Sequence, residues 1–240
     1  MTNKVDILAI GAHPDDVELS CGGTLAKHIK AGKKVAIVDL TEGELGSRGS
    51  VKTRYEEAFK AKQILKIKDR VNLQLPDGFF VEDHDSLIKL IRQIRYFQPE
   101  IVLANAPRDR HPDHGRGGSL ISRACYLAGL MKIETSYEEE DQKSWRPKSV
   151  YHFIQDYFLK PDFVVDVTDF IVIKFEAIKA YSSQFYDPNS SEPETPISGK
   201  DFFDILKGKM MQYGRPIGVK YAEGFIADRY IGVDNLFDLR

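Results

Sequence analysis

Four short apolar runs, VDILAIGA (5–12), KVAIVDL (34–40), RVNLQL (70–75) and PEIVLANAP (99–107), are separated by amphipathic stretches of crossover length. The first of them is apolar at nearly every position, as a strand buried on both faces of a parallel sheet should be. Parallel neighbours cannot be joined by a tight turn, so each pair needs a long connection, usually a helix. Such helices are at hand. One reaches to about Gly32, with Leu19, Leu25, Ala26 and Ile29 at helical spacing. The others are TRYEEAFKAKQILKI (53–67), DHDSLIKLIRQIRYF (83–97), with Asp83 or Asp85 as its cap, and GSLISRACYLAGLM (118–131). The chain therefore reads as α/β: a Rossmann-like, doubly wound, mostly parallel sheet with helices on both faces.

Beyond residue 132 the alternation loosens. IETSYEEEDQKSW reads as a solvated acidic connector, and SVYHFIQ (149–155) and FVVDV (163–167) as strands. TDFIVIKFEAIKAYSSQ (168–184) reads as a helix opened by a Thr-Asp cap, DPNSSEPETPISG (187–199) as an exposed loop, and YAEGFIADR (221–229) as loop and strand. With no repeat or linker, residues 1–240 are expected to form one domain with C-terminal elaborations. Its 34 basic and 36 acidic residues leave a net charge of −2, which gives no electrostatic case for nucleic acid or an anionic membrane. No apolar stretch approaches the roughly 20 residues of a bilayer span. The N-terminus lacks a signal-peptide cleavage pattern, and Cys21 and Cys125 lie far apart outside any CxxC pattern. A soluble, cytoplasmic protein is expected.

Two nearly identical tetrads carry the chemistry. HPDD (His13–Asp16) follows the first apolar run, and HPDH (His111–His114) follows the fourth. With strand order 3-2-1-4 these strands are neighbours at the topological switch point, where the outgoing loops part to make a ligand crevice. A turn needs Pro and Asp, but not His. The tetrads hold three of the six histidines; His28, His84 and His152 lie apart and are assigned to surface or packing. Imidazole nitrogen and carboxylate oxygen are good zinc ligands, and a catalytic zinc takes three protein ligands plus water. Two His and one Asp from these runs meet that count, leaving other groups for the proton transfers of hydrolysis. Spacing alone allows either Asp15 or Asp16 as the ligand beside His13.

Two competing readings are weaker. Asp39 mimics the ribose-binding acid of a nucleotide-binding oxidoreductase, but GAHPDD replaces the GxGxxG turn, and Pro14 with two carboxylates would repel a pyrophosphate. A non-catalytic metal-binding protein on this fold would be marked by loss of Asp15, which is present.

AHPDD, TEGELGSRGSVKTRYEEA and HPDH, with LPDG (75–78), KAYSSQ (179–184) and YAEGF (221–225), resemble the LmbE-like (PIG-L) family of zinc-dependent N-acetylglucosaminide deacetylases over most of the chain. The resemblance implies Zn2+ held by His13, Asp16 and His114, and Asp15 as general base. It also implies His111 as electrophilic or acid partner oriented by Asp113, Arg54 in contact with substrate, and a homo-oligomer, a hexamer being one form to test. Some members carry a Tyr two residues before HPDH. Asp109 stands there in this chain, so His111, or a Tyr such as Tyr181, would have to compensate. Arg48, Arg54, Arg108 and Arg110 fall on the two rim loops, which suggests an anionic substrate held through Arg54 or Arg110. The chain looks nearest to the bacillithiol-pathway branch, whose substrate carries malate on N-acetylglucosamine. The implied reaction is removal of acetyl from such a small amino-sugar, with N-acetylglucosamine or chitooligosaccharides as further substrates.

Overall fold

A computed structural model describes residues 2–239. The elements run β1 (Ile7–Gly11), α1 (Asp16–Lys30), β2 (Val35–Thr41), α2 (Val51–Leu65), β3 (Asp69–Leu75), α3 (His84–Phe97), β4 (Ile101–Ala104) and α4 (Pro112–Ala128). There follow β5 (Ser136–Tyr137), β6 (Glu140–Asp141), β7 (Ser149–Phe153), β8 (Phe163–Asp166), α5 (Ile171–Lys179), α6 (Phe202–Gly214) and β9 (Ala222–Ala227). Seven strands make one sheet in the order β3-β2-β1-β4-β7-β9-β8. The first five are parallel, and β9 pairs antiparallel with β7 and β8. The mostly parallel α/β architecture and the 3-2-1-4 order both follow the sequence reading.

Strand β1 shows why the sheet is covered on both sides. Leu8 and Ile10 enter one core with Leu90, Ile94, Leu120 and Ile121 of α3 and α4. Ile7 and Ala9 point the other way, to Val17, Cys21 and Leu25 of α1. All five residues of β1 are buried.

The differences from expectation are local. Helix α4 begins at Pro112, six residues earlier than expected, because Gly115, Gly117 and Gly118 mask its first turns as a weak helix former. A Cβ at Gly118 would meet the Asn105 and Ala106 carbonyl oxygens at 2.9 and 3.0 Å, so the helix lies against the end of β4 only because that residue has no side chain. Asp83, not Asp85, caps α3, accepting from the Ser86 N–H. The expected Thr-Asp cap is absent: Thr168–Phe170 forms a 3-10 turn before α5 with no side-chain cap bond. The acidic connector includes the small β5–β6 hairpin, and α6 was not anticipated. Among the described residues, no helix is long and apolar enough to cross a membrane.

Candidate active site

Both tetrads lie at the carboxyl ends of adjacent strands, as the switch-point argument requires. After β1 the chain turns through Asp15, whose φ of 120° and ψ of −27° few residues with a Cβ adopt. Asp15 makes no side-chain cap bond to α1. Helix α4 is capped by His111, whose Nδ1 accepts the Asp113 N–H at 3.3 Å, and Pro112 occupies its first turn. The prolines thus serve the turns, whereas none of the three aspartates is used as a cap.

The three imidazoles converge. Ring centroids lie 4.7 Å apart for His13 and His111, 5.1 Å for His111 and His114, and 5.5 Å for His13 and His114. Asp16 sits among them, 3.1 Å from His114 Nε2 and 3.7 Å from His13 Nδ1. It is held by the Asn105 and Gln155 side-chain amides, each donating at 3.0 Å, and by the His13 N–H at 3.0 Å. The other ring nitrogens are backed by acids: His13 Nε2 by Asp77 at 3.1 Å, and His114 Nδ1 by Asp109 at 2.5 Å. A carboxylate behind an imidazole is the usual support of a metal-binding histidine, and it leaves His13 Nδ1 and His114 Nε2 facing Asp16.

The charges show what the site is suited to hold. Burial lowers the affinity of His13 for a proton, but Asp113, Asp77 and Asp16 outweigh it and raise its pKa to about 10. His114 is likewise opposed by burial yet raised to about 9 by Asp16 and Asp109. Burial raises Asp16, and the two imidazolium rings hold it far below the usual carboxylate range. Surrounding acids thus force protons onto rings that would otherwise be neutral. A divalent cation would satisfy the same carboxylates, and N and O donors of this kind suit zinc. Among the described residues, two groups bring metal-ligating atoms within 4.8 Å of one another, His13, His111 and His114, and His13, Asp77 and Asp113; Asp16 is in neither and joins the cluster through its 3.1 Å approach to His114 Nε2.

Asp15 differs from Asp16. Burial raises its pKa to about 7, against the pull of Arg54, whose Nη1 lies 3.4 Å from its Oδ2. His111 is pushed below its ordinary value by burial and by the charges on His13 and His114.

Several expected roles change. Asp113 does not orient His111 through its carboxylate; it accepts from Gly78 N at 2.8 Å and Arg116 Nη1 at 2.7 Å, and lies 3.5 Å from His13 Nε2. Tyr181 cannot reach a substrate. It is fully buried, and its hydroxyl donates to Glu18 at 3.1 Å. Arg48 is no rim cation: buried, it donates to the carbonyls of Ser183, Phe185 and Pro193. Arg54 does line the cleft, but it is anchored to Pro14 O and Gln184 as well as Asp15. Arg110 is exposed and paired with Asp156. Asp77, Asn105, Asp109 and Gln155 went unassigned in the sequence reading. The LPDG segment and the acid inside RDRHPDH were the available signals for two of them. His152 packs as expected, between Asn105 O, Ser122 and Asp228.

These groups open onto a cleft of about 490 Å³, lined also by Gly43, Gly46 and Ser47 of the loop after β2 and by Pro196 and Ile197. Residues 8–125, which supply every imidazole and carboxylate of the cluster, match the family model described as PIG-L: GlcNAc-PI de-N-acetylase. An uncharacterized deacetylase of Escherichia coli is 37% identical over 135 residues, covering 54% of this chain and 68% of the relative. The chain belongs to the PIG-L family. A diacetylchitobiose deacetylase of Thermococcus kodakarensis is 29% identical over 232 residues, 91% of this chain and 81% of that one. The crystal structure of a conserved protein from Thermus thermophilus superposes with a TM-score of 0.84 at 33% identity, covering 95% of this chain and 97% of that one.

Proposed function

We propose that this PIG-L protein is a metal-dependent hydrolase that removes the acetyl group from an N-acetylglucosamine-bearing small molecule. The observation that carries this reading is the division of labour between adjacent acids. Asp16 is bound into the imidazole cluster, while Asp15 lines the same cleft with its proton affinity near neutrality. His13, Asp16 and His114 would hold zinc, which supplies Lewis acidity toward water and the amide carbonyl. Asp15 takes the proton of the attacking water and returns it to the leaving amine, since a base works best near the ambient pH. The bond from Asp113 N–H to His111 Nδ1 leaves the proton of a neutral His111 ring on Nε2, which donates to the oxyanion as it forms.

A neutral sugar chain suits the cleft better than a malate-bearing one, because Arg48 and Arg54 are bound within the protein. Arg110 keeps the anionic alternative open to test. If it grips a carboxylate, Arg110→Ala should cut kcat/KM on N-acetylglucosaminyl malate about ten- to a hundredfold more than on N-acetylglucosamine. We expect equal effects. A homo-oligomer in a reducing, cytoplasmic setting completes the reading, in line with Cys21 and Cys125 being buried and free. The decisive experiment follows amine release from chitobiose, N-acetylglucosamine and N-acetylglucosaminyl malate with and without a chelator. No chelator-sensitive release from any of them would sink the proposal.

A further inference from the structure

Beside the polar cleft lies a smaller chamber of about 110 Å³, whose walls include Asp16, Leu19, Arg110, His114 and Ile197, all shared with the cleft. Its far side is apolar: Ile154 after β7, and Phe202, Leu206, Met210 and Tyr213 of α6. The charged groups that border it are bonded to protein partners. Lys174 Nζ meets Glu223 at 2.6 Å, Arg110 pairs with Asp156, and Lys209 donates to the Gln155 carbonyl. The surface left for a ligand is therefore mostly hydrocarbon, and it begins at two residues of the imidazole–carboxylate cluster.

A substrate with its amide carbon at that cluster carries two substituents. The sugar needs the more polar side, where Ser47 and the backbone at Gly43 and Gly46 stand. The acyl chain is left with the apolar side. We propose that the chamber receives the acyl chain, and that the enzyme hydrolyses linear N-acyl groups longer than acetyl. The inference rests on the hydrolase reading above. Its chemistry balances in the same way: water oxygen bonds to the acyl carbon, the C–N bond breaks, and a carboxylic acid and an amine leave. An acetyl methyl would touch only the mouth, whereas each further methylene buried in the chamber should improve kcat/KM about fourfold until the space is filled.

The test uses metal-loaded protein and the N-acetyl, N-butyryl and N-hexanoyl derivatives of glucosamine. Butyryl should react with kcat/KM about tenfold above acetyl, and hexanoyl above acetyl as well. Leu206→Trp narrows the chamber from α6, and Ile205→Trp does so from a residue that is 67% exposed and can hardly unfold the protein. Both should lower the hexanoyl-to-acetyl ratio about tenfold or more, with melting curves confirming that each variant folds. Calorimetric titration gives a readout without turnover: hexanoate should bind more tightly than acetate and lose that margin in Leu206→Trp. Acetyl release with butyryl and hexanoyl no faster than acetyl, or a ratio unmoved in both folded variants, would overturn the acyl chamber and leave the deacetylase intact. Failure to release amine from any of the three would remove the hydrolase reading, and this inference with it.

Discussion

At the scale of single residues, Asp15 and Asp109 carry the clearest consequences. On the proposed mechanism Asp15→Asn removes a base without removing a ligand, so metal content should stay whole while kcat falls by about 10²–10⁴. Metal analysis beside turnover checks both halves; loss of metal in Asp15→Asn, with retention in Asp16→Asn, would exchange the two roles. Asp15→Gly should be inactive yet melt higher, because a φ of 120° costs a Cβ-bearing residue on the order of 1–3 kcal/mol. Asp109 holds His114 from behind, so Asp109→Ala should weaken metal binding about 10–100-fold, read by competition with a chelating dye. The ring pKa values set a pH window as well. His13 and His114 hold protons to about 10 and about 9 in the metal-free protein, above the 6.5 of an unfolded chain. Stability from raised pKa values is whole below pH 6.5 and is lost as pH climbs through 9 and 10. Metal-stripped protein should therefore melt progressively lower across that range, and His13→Gln should flatten the slope. Metal uptake near neutrality must expel those protons, which calorimetry in buffers of different ionisation enthalpy would count.

At the scale of elements, α1 is positioned by a clamp that no local pattern announces. Glu223 of β9 accepts from the Gly23 and Thr24 amides at 3.0 and 2.7 Å and pairs with Lys174 of α5, both ions being buried. A Cβ at Gly23 would lie 2.9 Å from Val167, so the close approach needs glycine. Lys174→Met leaves Glu223 charged and unpaired inside the protein and should cost about 3–5 kcal/mol, measured by denaturant unfolding. Adding Glu223→Gln should recover part of that loss. Such long-range contacts mark the limit of what the chain discloses by itself. The buried strands and α1 to α3 were legible because their apolar periodicity is strong. The start of α4 was hidden by three glycines, whose poor propensity is overruled by packing against the end of β4. Helix α6 was missed in a segment containing Gly208 and flanked by a polar loop.

At the scale of the whole molecule, the meeting of the two tetrads was legible because topology alone decides it: β1 and β4 are neighbours and both lead into their loops at the same edge. What supports the tetrads was not. Asp77 and Gln155 reach His13 and Asp16 across 64 and 139 residues of chain; LPDG singles out the segment around Asp77 without naming its partner, and nothing in the local sequence marks Gln155. Tyr181 and Arg48 mislead for the same reason, since residue type suggests a substrate contact while tertiary packing turns both into the interior. The imidazoles and carboxylates of the cluster all lie between His13 and His114, whereas Ile197 and the α6 face that wall the openings come from residues 197–213. On the proposed reading, the reaction and the choice of acyl chain are written in different stretches of the chain, so the second can drift in a lineage while the first is inherited intact. Chimeras that exchange residues 187–214 with a relative should change which amide is cut while remaining equally sensitive to chelation.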